Sequence, residues 1–121
     1  ATISCMEDNV KSRSKAMSAF LRGTMEGWKS YLADPAPGNA LIRKDNPNMT
    51  EEQLAYSVSR MKEMGIVTSG DAQKNGIGTL NESRIQQSYA FLLANKLIES
   101  DKVGPMQTYR LDLIRDIKVL P

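Results

Sequence analysis

A chain of 121 residues fits a single domain and can bury roughly two-thirds of the surface its unfolded form exposes. Its 40% hydrophobic and 25% charged residues exclude a disordered or fibrous chain. The 16 basic and 14 acidic side chains are interspersed, which argues against a nucleic-acid reader, and no apolar run reaches the ~20 residues of a membrane-spanning helix.

The first six residues alternate weakly, with Thr2 and Ile3, and predict a short strand over 1–6. No other segment reads as a strand, so its ladder partner must come from elsewhere. The chain opens Ala-Thr-Ile-Ser-Cys, without methionine, a basic start or an apolar leader, and is expected to be a processed product or a piece of a longer protein. Cys5, the only cysteine, cannot form an internal disulfide and is expected to be a small buried hydrophobe.

Residues 9–32 carry a helical stripe of Val10, Met17, Leu21, Met25, Trp28 and Leu32, widened by Phe20 and Tyr31. Lys11, Arg13 and Lys15, offset by Glu7 and Asp8, form a solvated face of it. Gly23 and Gly27 lie four apart and open one face to close approach by a neighbour. Trp28 and Tyr31 read as packing groups rather than stacking platforms in a ligand cleft.

Asp34-Pro35-Ala36-Pro37-Gly38 turns the chain, and a short helix is predicted over 39–44 before Asp45-Asn46-Pro47. Thr50 and Gln53 form a capping box for a helix that buries Leu54, Val58, Met61 and Met64 and ends at Gly65. Glu51 and Glu52 sit in its first turn, where negative charge suits the helix dipole. Gly65, Gly70, Gly76 and Gly78 punctuate a loop. No glycine there is followed by lysine and then serine or threonine, so these are turn residues and not a phosphate loop.

Thr79 with Glu82 predicts a second capping box, opening a helix to about residue 97 with Ile85, Tyr89, Leu92, Leu93 and Leu97 inward. Gly104-Pro105 breaks the chain, and a last helix over 108–117 carries Leu111, Leu113 and Ile114. The predicted fold is mainly α, four or five helices plus a short N-terminal strand.

The chain contains no histidine, which removes the commonest general base, nucleophile partner and metal ligand. No acidic cluster has calcium-loop spacing. The expectation is a non-enzyme with no catalytic residue, no metal site and no cofactor.

A series of short motifs runs along the chain: Phe20 and Glu26-Gly27-Trp28-Lys29-Ser30-Tyr31-Leu32, then Asp34 through Ile42. Asn46-Pro47 and Met49-Thr50 follow, then Met61-Lys62-Glu63, Gly65-Ile66-Val67, Ser69-Gly70-Asp71-Ala72, Gly76-Ile77-Gly78 and Arg84. In order and spacing this run resembles the C-terminal region of periplasmic substrate-binding proteins of the nitrate, taurine, sulfonate and thiamine-pyrimidine-precursor group. The resemblance covers nearly the whole chain. Ile85, where many relatives carry tryptophan, and Leu80, where methionine is frequent, depart from it.

The resemblance implies a C-terminal fragment of a type II periplasmic-binding α/β two-lobe fold, with 1–121 a single region and the upstream lobe absent. It implies a periplasmic location, an ABC importer permease and a small-molecule solute as partners, no nucleic acid, and a possible homo-oligomer of the fragment. In this family most ligand contacts come from upstream of the matched region, so no ligand-binding residue is carried over and the solute stays unknown. A self-contained all-α interaction module is the alternative reading. An enzyme of thiamine-precursor synthesis ranks last, since that chemistry depends on histidine.

Overall fold

The computed structural model describes residues 2–99, 102, 104 and 109–121. Among them are five helices, α1 (Glu7–Ala33), α2 (Ala36–Asp45), α3 (Glu51–Met64), α4 (Ala72–Asn75) and α5 (Glu82–Ala94), and no strand. The mainly helical architecture therefore follows the periodicity, and two expected elements are replaced by irregular chain.

The first correction concerns 1–6. Residue 1 lies outside the described residues, and residues 2–6 form no strand and stand exposed. A strand needs a partner edge for its backbone groups, and none of the described residues supplies one. Cys5 shares that exposure, so it is not the buried hydrophobe expected.

Helix α1 kinks at Arg13, whose φ of −132° and ψ of 30° leave the helical region. Ser12 lies beside the kink, and its hydroxyl donates to the Asp8 carbonyl at 2.6 Å. Such back-bonding to the preceding turn bends helices. Beyond the kink, Met25 and Leu32 are buried, with Leu21 and Met17 half-buried, as the stripe predicts. Phe20, at the stripe's margin, is 61% exposed. The close approach expected at Gly23 and Gly27 is not made, because a Cβ built on either would meet nothing within 4 Å.

Helix α2 starts earlier than the predicted 39–44. The Asp34 carboxylate accepts from the Ala36 amide at 3.1 Å, and Pro37 supplies a φ already suited to a first turn. Tyr31 secures this elbow: its hydroxyl donates to the Asn39 side-chain oxygen at 2.8 Å. Its ring also fills the space that a Cβ on Gly38 would need, 2.7 Å away. From there α1 packs on α2 and α2 on α3.

Helix α3 opens with the full capping box of Thr50 and Gln53 and buries Leu54 and Val58. Met61 is half-buried, whereas Met64 is 62% exposed because it sits about a quarter turn off the Leu54 and Val58 line. Gly65 takes a left-handed φ of 61°, and the Gly65 and Ile66 amides close back on the Lys62 and Met61 carbonyls. That is the Schellman ending.

Helix α5 stops at Ala94, three residues before its predicted end. The Lys96 and Leu97 amides close on the Leu93 and Leu92 carbonyls with Lys96 at a φ of 55°, which leaves Leu97 65% exposed. Ile85, Tyr89, Leu92 and Leu93 are half-buried, and no residue of α5 is fully inside.

The second correction is the tail. Residue 108 lies outside the described residues, and 109–121 hold turns and extended chain where a helix was predicted. Ile117 and Val119 are both buried while Lys118 and Leu120 face solvent. That alternation is the extended-chain period, and a helix would turn residues two apart to different faces. Met25, Ile77, Ile117 and Val119 make one buried cluster, flanked by Leu21, Val67 and Ile114. The Ile77 amide donates to the Val119 carbonyl at 2.8 Å, and Ser18 holds the Leu113 carbonyl at 2.8 Å.

Two outcomes follow. Ile117→Ala should lower the unfolding free energy by about 2–3 kcal/mol in urea titration, while Leu120→Ala stays within ~0.5 kcal/mol. Equal losses at the two positions would contradict the extended register of the tail. Lys96→Gly should stabilise by about 0.5–1 kcal/mol, by removing the side chain from a left-handed backbone. A loss there would mean that α5 does not end as described.

Candidate functional site

The loop between α3 and α5 brings Asp71 and Arg84 of the motif run together, with Asn81 between them. Asp71 opens α4, and its carboxylate accepts from the Asn81 side-chain amide at 3.2 Å and faces the Arg84 guanidinium at 3.7 Å. Asn81 in turn caps α5 by accepting from the Arg84 amide at 3.2 Å. The cap is therefore Asn81 and not Thr79. Asparagine outranks threonine at this position, and the Thr79 amide is engaged in the glycine turn, donating to the Gly76 carbonyl. The Asp71–Arg84 pair is partly solvated and worth at most about 1 kcal/mol. Its role is to hold the loop against the start of α5.

Beside this loop, Met25, Thr79, Glu82, Ile114, Arg115 and Lys118 line an open groove of about 480 Å³. Its lining mixes apolar side chains with one carboxylate and two cations. A smaller hollow of about 300 Å³ lies over Asp71, Asn81, Arg84 and Ile85. No polar or charged residue is buried among the described residues, so neither hollow contains a desolvated group that would select a ligand.

The remaining candidates are dispersed. Trp28 meets Tyr31 edge to face at 6.1 Å and 84°, and Tyr31 is occupied by the α1–α2 elbow. Trp28 is 38% exposed and belongs to the same elbow. Glu51 and Glu52 lie in the first turn of α3. Lys11, Arg13 and Lys15 are exposed, with Lys11 at 3.8 Å from Glu7. Among the described residues no three His, Cys, Asp or Glu side chains are grouped to hold a metal. No described helix is long and apolar enough to cross a membrane.

The tail has its own charge arrangement. Arg110 grips Asp112 through two hydrogen bonds of 2.8 Å and reaches Glu7 at 3.4 Å, tying the tail to the first turn of α1. The hydrogen bond from Arg110 holds the Asp112 carboxyl below its usual range. Partial desolvation and the nearby Glu82 raise the Tyr109 hydroxyl, which donates to Glu82 at 3.1 Å. Periodicity and capping patterns pass over the Arg110–Glu7 and Tyr109–Glu82 pairs, because those partners are distant in sequence.

No family model, no curated protein and no solved structure matches this chain.

Asn81→Ala should cost about 1 kcal/mol of stability and Thr79→Ala well under half of that, read by thermal and urea unfolding. The reverse order would restore Thr79 as the cap. For Asp112, a carboxyl lowered in the folded chain stabilises above its unfolded value, and the contribution is lost as pH falls through the folded one. A carboxyl NMR titration of Arg110→Gln should move the Asp112 midpoint upward. An unmoved midpoint would remove Arg110 as the cause.

Proposed function

We propose that this chain is the C-terminal, mainly helical part of a periplasmic substrate-binding protein that captures a small solute and delivers it to an ABC importer permease. The observation that carries the reading is the ordered run of short motifs from Phe20 to Arg84. Gly65, Gly70, Gly76 and Gly78 of that run adopt left-handed or related positive φ, so these four match a backbone need.

The accessible surface supports the same reading. It is 9227 Å², against about 6,500 Å² for a compact monomer of this mass. Phe20 on α1, Tyr56 and Met64 on α3 and Phe91 on α5 all stand more than half exposed. In the proposed whole protein, further chain covers such faces, and in isolation the fragment covers them by self-association. The alternative of a self-contained all-α interaction module is favoured by the lack of a strand among the described residues. The excess surface weighs against it, because a complete small module should bury its apolar stripes.

Periplasmic and cytoplasmic extracts of the source cell, probed with an antibody against this chain, separate the two readings. A species much heavier than 13.4 kDa in the periplasm is the expected result. A 13.4 kDa species confined to the cytoplasm would overturn the transport reading in favour of the module.

A further inference from the structure

We draw no further inference here: the strongest candidate, the open groove between α1, the start of α5 and the 111–118 segment, belongs to the site already described and has no buried polar side chain to select a ligand.

Discussion

Val119 crosses Gly76 so closely that the backbone at residue 76 has no room for a side chain. A Cβ there would stand 2.9 Å from the Val119 nitrogen and 3.2 Å from its oxygen, and the φ of 101° is itself one that side chains resist. This contact allows the Ile77 amide to reach the Val119 carbonyl and sets Ile77, Ile117 and Val119 against Met25. The cluster joins the middle of the chain, the long helix and the tail. Without it, polar contacts such as Ser18 with Leu113 and Lys29 with the Leu120 carbonyl would be left to hold the tail. Single hydrogen bonds of that kind contribute only about 1 kcal/mol each.

The remainder of the molecule is held more lightly. α1, α2 and α3 follow one another through short elbows, each closed by local chemistry: the Asp34 carboxylate, the Tyr31 hydroxyl, the Thr50 capping box. Local caps define where helices start and stop, but each contributes only about 1 kcal/mol. Tertiary burial must supply the rest. Here no side chain among the described residues is buried to completion, and α5 buries none of its residues fully. Side-chain caps fix the starts of α3 and α5, while the buried core is thin.

That division also explains what was legible beforehand. Thr50 with Gln53, and Gly65 at the end of α3, could be read because a cap is a matter of residues three or four apart. The stripe of α1 could be read because its period is its own. The tail could not. Ile114 and Ile117 fit a helical stripe by themselves, and only the position of Ile77 and Met25 makes the extended alternation of Ile117 and Val119 the better solution. Likewise residues 2–6 have strand-like composition, but a strand is a property of two segments and the second is not among the described residues. The Asp71–Asn81–Arg84 link lay hidden for the same reason, although Asn81 directly before Glu82 was a visible N-cap signal.

The same logic bears on why the candidate site is bland. A binding pocket becomes selective when polar groups are withdrawn from water, since only then does leaving one unpaired cost enough to discriminate. Withdrawal requires walls on several sides. The groove beside Met25 is lined by Ile114 and Ile117 together with Glu82, Arg115 and Lys118, and those charged side chains remain solvated. Coulomb attraction among solvated groups is weak and screened by salt. Selectivity at this groove would therefore need another surface to close over it.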